Sequence, residues 1–240
     1  MDKPYLCSAM RKLDIPEEEK KAETLFKYMD LVLQRNREVN LTAITDREEF
    51  LKKHYVDSLA AARLDEFRNG RTVIDLGTGA GFPGVPLAIC FPEKQFLLAD
   101  SLNKRIEIIR EFCDELEINN VTAIHGRAEE LGRQKDLREH FDICVSRAVA
   151  DLSVLAEYCL PFVKVQGHFI SYRGRDCDQE VSDADFAIRK LGGEVEKIVN
   201  VGEDTDTGHN LVLIRKIAPT QSAYPRRPGK PAKSPLRASK

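Results

Sequence analysis

From Thr72 onward, the chain alternates short apolar runs with segments of helical periodicity, and this alternation restricts the fold more than any other feature. Alternation of this kind predicts parallel strands joined by crossover helices, with helices on both faces of one sheet. The predicted strands are residues 72–76, 95–99, 121–125, 141–146 and 167–172. Two of the predicted helices are marked by apolar residues at helical spacing: Ile106, Ile109, Cys113 and Leu116 in one, and Leu152, Leu155, Ala156 and Cys159 in the other.

Near the end of the chain this rhythm changes. Residues 194–201 and 210–217 are two strand-like runs, and only the polar stretch 202–208 separates them. A connection that short cannot hold a crossover helix, so the two runs are predicted to pair antiparallel at the edge of the sheet.

The first 70 residues have a different, helical pattern. Ala22, Leu25, Phe26, Met29, Val32 and Leu33 recur at helical spacing, with charged residues between them. Thr45 and Glu48 form a capping-box pattern, which predicts a helix that begins there and continues through Leu59. We therefore divide the chain into an N-terminal helical segment (1–70), an α/β domain (71–218) and a C-terminal tail (219–240).

Composition excludes several classes of protein. Hydrophobic residues make up 42% of the 240 residues and charged residues 32%, which is typical of a globular protein. The sequence contains no apolar run of the ~18–20 residues that a membrane-spanning helix needs, and its start has no signal-peptide pattern. We therefore expect a cytoplasmic protein with no membrane partner. The six cysteines are scattered without a C-x-x-C pair and are expected to be reduced, mostly buried thiols; no metal site is expected.

The tail has an unusual charge. Residues 219–240 include six Lys or Arg and no acid, although the whole chain has a net charge of −2. A cationic tail favours binding to nucleic acid or another polyanion. A solvated, disordered terminus has the same composition, and the sequence alone leaves both interpretations open.

The strongest chemical signal is the run VIDLGTGAGFPG at residues 73–84. A buried strand leads into a glycine-rich turn and then into a helix. Glycines permit positive φ and let a ligand approach the backbone, while the helix start offers free N–H groups. Such a loop is typical of nucleotide-like ligands bound at the carboxyl end of a parallel sheet.

Two acidic residues indicate which ligand. Asp75 lies at the end of the first strand, where a carboxylate suits a cationic amino-acid group and would repel a pyrophosphate. Asp100 ends the next strand, where a carboxylate can accept both hydroxyls of a ribose. Together with Gly77, Gly79 and Gly81, they predict an S-adenosylmethionine site. The alternative is a nicotinamide dinucleotide, because Gly79, Gly81 and Gly84 formally match G-x-G-x-x-G, although displaced two residues into the turn.

At this point the sequence resembles a known family, the bacterial small-subunit rRNA guanine-N7 methyltransferases (RsmG, or glucose-inhibited division protein B), over nearly the whole chain. The motifs that carry the resemblance are NLTAI at 40–44, HxxDSL at 54–59, GAGFPGVPLAI at 79–89, DSLxKR at 100–105, GRAE at 126–129, SRAVA at 146–150 and YPRRxGxPxKSPL at 224–236. The resemblance implies a Rossmann-like class I methyltransferase sheet with an antiparallel last strand. It also implies S-adenosylmethionine as methyl donor and, as substrate, the guanine at position 527 of 16S rRNA in the small ribosomal subunit.

The resemblance also implies roles for individual residues. Gly77 and Phe82 match family positions that contact the donor from the loop, Ala128 and Glu129 match positions beside its adenine, and Arg147 matches a further donor-contacting position. The chain departs from the family at Arg173-Gly174, where Lys-Gly is common, and the planar guanidinium is not equivalent to an ammonium.

Two further expectations come from the residues themselves. Arg147 follows a buried strand, where an unpaired guanidinium is costly, so it must meet an acid or an anionic ligand group. His54, Asp57 and Ser58 share one helix face, which favours a hydrogen-bonded packing cluster over a metal site.

The sequence contains no motif for a catalytic base or nucleophile. Methylation of guanine N7 removes no proton, so it needs positioning and no general base, and we expect no catalytic residue of that kind. The protein is expected to act as a monomeric, RNA-binding enzyme. The alternatives are an NAD(P)-dependent oxidoreductase and a non-catalytic ribosome-binding protein.

Overall fold

A computed structural model describes residues 2–16, 18–147, 150–202 and 208–238 of the chain. Seven strands form one sheet in the order β3-β2-β1-β4-β5-β7-β6. The strands are β1 (Thr72–Leu76), β2 (Gln95–Asp100), β3 (Val121–His125), β4 (Phe141–Ser146), β5 (Val163–Arg173), β6 (Gly193–Asn200) and β7 (Asn210–Lys216). The first five strands are parallel, as predicted. β5 begins four residues earlier than predicted, and its register with β4 shifts between Phe141 and Ile143.

The last two strands pair antiparallel, which confirms the prediction from their short connection. β7 lies inside the sheet, between β5 and β6, and is antiparallel to both, so β6 is the strand at the edge. Residues 203–207 of the connecting loop lie outside the described part of the chain.

The N-terminal segment is helical. α1 (Asp2–Lys12) and α2 (Glu19–Asn36) are followed by one helical stretch that changes its winding: α3 (Arg47–Phe50), a π-helical turn (Leu51–Val56), α4 (Asp57–Leu59) and a 3₁₀ turn (Ala60–Arg63). A short helix, α5 (Asp65–Asn69), leads into β1. The predicted capping box is wrong by one residue: Asp46 is the N-cap, and its carboxylate accepts a hydrogen bond from the backbone N–H of Glu49 (2.9 Å). A carboxylate one residue later competes successfully with the Thr45 hydroxyl.

Helices cover both faces of the sheet. The remaining helices are α6 (Gly84–Cys90), α7 (Asn103–Glu115), α8 (Ala128–Leu131), α9 (Leu152–Cys159), a 3₁₀ turn (Leu160–Phe162), α10 (Asp178–Lys190) and α11 (Lys230–Lys233). One hydrophobic cluster joins the N-terminal helices, α6 and α7 to one face of the sheet. A second cluster joins α9 and α10 to the other face and includes Tyr224 of the tail. The N-terminal segment therefore shares its core with the sheet; the division at residue 70 stays a prediction.

Candidate functional site: a cavity at the carboxyl ends of β1 to β4

The loop after β1 is held in place by the carboxylate of Asp75. This side chain is fully buried, and its Oδ2 accepts hydrogen bonds from the Thr78 hydroxyl (2.7 Å) and from the backbone N–H of Gly84 (2.8 Å). Its Oδ1 is also buried and has no hydrogen-bond partner among the described residues. Burial raises the pKa of Asp75 to about 6, although the hydrogen bonds from Thr78 and Gly84 act to lower it. One carboxylate oxygen therefore shapes the loop, and the other has no partner among the described residues.

The loop requires glycine at different positions for different structural reasons. Gly77, Gly79 and Gly81 all have positive φ, at 73°, 61° and 88°. A Cβ on Gly81 would collide with the Tyr28 hydroxyl, and a Cβ on Gly84 would lie 2.8 Å from Oδ2 of Asp75. A Cβ on Gly79 would meet no atom within 4 Å. Gly81 and Gly84 are thus required for packing, whereas the loop is open to a ligand at Gly79.

Asp100, at the end of β2, connects the loop to the next part of the site. Its Oδ2 accepts from the backbone N–H of Gly79 and its Oδ1 from that of Leu102, each at 2.9 Å. Nη1 of Arg105 lies 3.6 Å from Oδ2. Each carboxylate oxygen has a second lone pair, so Asp100 can still accept the two ribose hydroxyls that the sequence predicts for it.

A cavity of about 320 Å³ lies at these strand ends. Its lining comes from the ends of β1, β2 and β4, the start of α8, the helix α9 and the tail; it includes Gly77, Asp100, Ala128, Glu129, Tyr158, Gly229 and Ala232. A larger groove of about 490 Å³ lies between α2, α6 and the connection from α7 to β3. Ligands of open parallel sheets bind at the carboxyl ends of the strands, so the smaller cavity is the candidate site.

Four of the nine predicted site residues line this cavity: Gly77, Asp100, Ala128 and Glu129. The other five do not belong to its lining. Asp75, Gly79, Gly81 and Phe82 belong to β1 and the glycine loop, and Arg147 directly follows β4. Their contact with a donor remains a prediction.

Arg147 meets an acid, as its position predicts. Its Nη1 donates to Oδ2 of Asp57 and to the carbonyl of Lys53, both at 2.8 Å, and its Nη2 lies 3.0 Å from Nδ1 of His54. The other oxygen of Asp57 lies 2.6 Å from Nδ1 of His209. Burial alone would raise the pKa of Asp57, but His209 and Arg147 outweigh it and hold that pKa below its usual value. The hydrogen bond to Asp57 raises the pKa of His209.

His54 completes this cluster and ties it to the glycine loop. Its ring stacks on Phe82 with centroids 4.3 Å apart, and its Nε2 lies 2.7 Å from the Thr42 hydroxyl. Because a guanidinium can only donate, Nδ1 must accept from Arg147, which requires a neutral ring. Burial, followed by the neighbouring Arg147 cation, lowers the pKa of His54 to about 3. The predicted packing cluster around His54 and Asp57 is therefore confirmed; Ser58 joins it by donating to the His54 carbonyl.

We expect this neutral His54 to make the fold sensitive to mild acid. A histidine whose pKa is lower in the folded than in the unfolded state makes the fold less stable in acid. The free energy of unfolding falls as the pH drops below the unfolded-state pKa of about 6.5, by up to about 1.4 kcal/mol per pH unit. From pH 6.5 to 5, the wild-type protein should lose about 1–2 kcal/mol more unfolding free energy than His54→Gln, measured by urea unfolding. Asp75 has the opposite effect, since its carboxyl binds a proton more readily when folded, but it is present in both proteins. Parallel pH profiles would contradict the neutral ring.

Several functional candidates were missed by the sequence prediction. Tyr158 lies on α9 and lines the cavity, but nothing in its sequence position distinguishes it from other residues of that helix. His209 approaches Asp57 from the far end of the chain, which no local pattern reveals. Gly229 and Ala232 belong to the basic tail, and only the YPRRxGxP motif marked that region.

Two features are absent from the described residues. No helix among them is both long and apolar enough to cross a bilayer. Within the same ranges, no three His, Cys, Asp or Glu side chains are grouped as a metal ion would need.

The strand order, the antiparallel β7 and the glycine loop at the end of β1 define a class I methyltransferase fold. A solved structure with this fold is an antibiotic-resistance methyltransferase, Kmr: its TM-score is 0.50 at 15% identity, and the match covers 61% of this chain and 87% of that one. This likeness concerns the fold alone.

Sequence comparison defines the family. Residues 21–211 match the family model of rRNA small subunit methyltransferase G. A Clostridium botulinum protein named ribosomal RNA small subunit methyltransferase G is 47% identical over 97% of this chain and 98% of its own length. A Clostridium perfringens protein of the same name is 47% identical over 91% and 92%. The chain belongs to the small-subunit rRNA methyltransferase G family.

Proposed function

We propose that this protein transfers a methyl group from S-adenosylmethionine to N7 of a guanine in 16S rRNA, at the position, 527, that the family resemblance indicates. It does so in the cytoplasm, as a monomer acting on the small ribosomal subunit or its RNA. The observation that carries the proposal is the cavity at the carboxyl ends of β1 to β4, whose lining brings Gly77 of the glycine loop together with the carboxylates of Asp100 and Glu129. The names and lengths of the relatives support the same activity.

The residues present fit the proposed donor. The unpartnered buried Oδ1 of Asp75 suits a cationic group, and the open side of Gly79 permits a ligand to contact the backbone. Asp100 would hold the ribose, and Ala128 and Glu129 would flank the adenine. Carboxylates also suit a donor that carries a positive sulfonium and an acceptor that becomes cationic, because the positive charge passes from the sulfur to the methylated guanine. When bound, S-adenosylmethionine supplies an electrophilic methyl group.

The nicotinamide alternative fits the loop poorly. A dinucleotide fingerprint needs glycines where the backbone approaches a pyrophosphate, but Gly81 and Gly84 are packed against Tyr28, Asp75 and Leu98. The carboxylates of Asp75 and Asp100 would repel a pyrophosphate at this loop.

The chain's own residues are suited to positioning rather than to proton transfer. His54 is neutral and tied to Thr42 and Arg147, and His209 is paired with Asp57. These residues form a rigid support beside the loop. Neither histidine is a free base, because both are held by these hydrogen bonds, and this suits an acceptor atom that carries an available lone pair.

We expect the single-turnover rate of methyl transfer, at saturating donor and RNA, to be nearly constant from about pH 6.5 to 8.5. No enzyme group has to remove a proton from guanine N7. The rate is measured by transfer of labelled methyl to small subunits from a strain that lacks the gene. A rate that rises tenfold per pH unit through neutrality would mean that a proton is removed, and the N7 assignment would fall.

The decisive test of the function is to map the modified base. In a strain without the gene, 16S rRNA should lose one N7-methylguanine, and the purified protein should restore it with S-adenosylmethionine but not with NAD. A thermal shift with NAD and none with S-adenosylhomocysteine would favour the oxidoreductase. RNA binding without any methyl transfer would favour the non-catalytic ribosome-binding protein.

A further inference from the structure

The basic tail folds back onto the domain. After β7, the chain turns at the buried Lys216, whose Nζ donates to the carbonyl of Leu160 and to the Thr220 hydroxyl, both at 2.6 Å. Tyr224 and Pro231 are buried, and Leu236 packs against the cluster formed by α9 and α10. Residues 219–238 are therefore part of the folded domain and not a free cationic terminus.

Carboxylates of the domain hold the tail by its backbone. Three backbone N–H groups of the tail each donate to a glutamate: Thr220 to Glu139 (2.7 Å), Arg226 to Glu157 (2.8 Å) and Gly229 to Glu129 (2.8 Å). Backbone recognition at three separated points fixes the path of the tail, because each contact depends on where the chain runs and not on a flexible side chain.

Two arginines from the segment after α8 donate hydrogen bonds to backbone carbonyls of the tail. Arg138 donates to the carbonyls of Thr220 (2.7 Å) and Tyr224 (2.8 Å), and Arg133 donates to that of Pro225 (2.5 Å). Side chains of the domain thus hydrogen-bond both the N–H groups and the carbonyls of the tail backbone.

One ion pair anchors the part of the tail that precedes the cavity. Glu157, on α9, is fully buried, and the guanidinium of Arg226 contacts both its oxygens, with Nε at 2.9 Å from Oε1 and Nη2 at 2.6 Å from Oε2. Loss of Arg226 would leave a buried carboxylate without its cation, which is costly. The neighbouring Arg227 is exposed.

Beyond this anchor the tail borders the proposed donor pocket. Gly229 and Ala232 line the cavity together with Ala128 and Glu129, and the Gly229 N–H contacts the Glu129 carboxylate directly. In the proposed binding mode, in which Ala128 and Glu129 flank the adenine, the purine of the donor would lie at this end of the cavity. The wall there is made in part by residues more than ninety positions away from Glu129 in sequence.

We propose that the tail is a structural component of the donor pocket: it forms the wall against the purine, positions Glu129, and makes Arg226 a positioning residue for donor binding. This inference rests on the proposed function. At Arg226, the positive charge of the tail therefore forms an internal ion pair with Glu157 and is not available to bind RNA.

The test compares Arg226→Ala with Arg227→Ala, which remove the same charge from adjacent positions. By calorimetry with S-adenosylhomocysteine, below the melting temperature of each protein, Arg226→Ala should bind at least tenfold more weakly than wild type and Arg227→Ala within about twofold. Trypsin should cleave the Lys233–Ser234 bond, a site that both variants keep, faster in Arg226→Ala than in Arg227→Ala, and S-adenosylhomocysteine should protect this bond in the wild-type protein. This readout separates a wall that touches the donor from a remote structural contact.

A second variant, Ala232→Trp, adds bulk to the lining of the cavity and leaves the Arg226–Glu157 pair unchanged, and it should also weaken binding. If wild type binds S-adenosylhomocysteine and both Arg226→Ala and Ala232→Trp bind it equally well, the tail proposal is overturned and the proposed function stands. If wild type does not bind it at all, the donor assignment falls, and the tail proposal falls with it. If Arg226→Ala retains donor affinity and loses only rRNA affinity, the tail serves RNA instead.

Discussion

Replacement of Asp57 by alanine is expected to lower the free energy of unfolding by about 3–5 kcal/mol. Asp57 is completely buried and is the acceptor for both Arg147 (2.8 Å) and His209 (2.6 Å). Its removal leaves a guanidinium, of which only 17% of the side chain is exposed, without a counter-ion. Urea unfolding at pH 7.5 measures the change.

The matched control is Glu49→Ala, which breaks the exposed Glu49–Lys53 pair and should cost less than about 1 kcal/mol. A double-mutant cycle adds the mechanism. Asp57→Ala combined with Arg147→Met should be less destabilised than the sum of the single variants, because no unpaired cation is left at position 147. A loss below about 1 kcal/mol for Asp57→Ala would mean that the cluster does not support the fold.

Replacement of Asp100 by alanine is expected to weaken donor binding by about 1–3 kcal/mol, or roughly 5–150-fold. The change removes the proposed ribose acceptor and also the two backbone hydrogen bonds that hold Gly79 and Leu102. Gly79→Val should weaken binding as well, because it puts a branched side chain in the open space of the turn at a φ of 61°. Calorimetry with S-adenosylhomocysteine measures both.

Asp114→Ala is the control for charge, since Asp114 is exposed on α7 and faces no part of the cavity lining. It should bind the donor with wild-type affinity. Wild-type affinity in both Asp100→Ala and Gly79→Val would refute the pocket. Loss of affinity in Asp114→Ala as well would show that net charge, and not the hydrogen bonds of Asp100, controls binding.

Asp57→Ala, in the buried cluster, and Asp100→Ala, in the pocket, test different properties of the protein. Asp57 lies beside the loop and supports it through Arg147, His54 and the Phe82 ring, so its loss should appear first in stability. Asp100 lines the cavity, so its loss should appear first in affinity. A combined readout of melting temperature and donor affinity therefore distinguishes support of the loop from contact with the ligand.

Local pattern was sufficient for the parallel part of the sheet, for the antiparallel pairing of β6 and β7, and for the glycine loop with Asp75 and Asp100. Apolar periodicity, the length of a connection and the conformational freedom of glycine all act between neighbours in sequence, so the sequence by itself determined these features. It also predicted that Arg147 meets either an acid or an anionic ligand group, because burial follows from the strand before it.

Only the tertiary structure decided which acid Arg147 meets and what the tail does. Asp57 lies 90 residues before Arg147, and Gly229 lies 100 residues after Glu129. Composition made the tail equally compatible with RNA binding and with a solvated end. The outcome depended on glutamates and arginines elsewhere in the chain whose positions are set by the packing of α8 and α9 against the sheet. Contacts between distant segments carry no periodic signal, because each requires that both partners have already been placed by the fold.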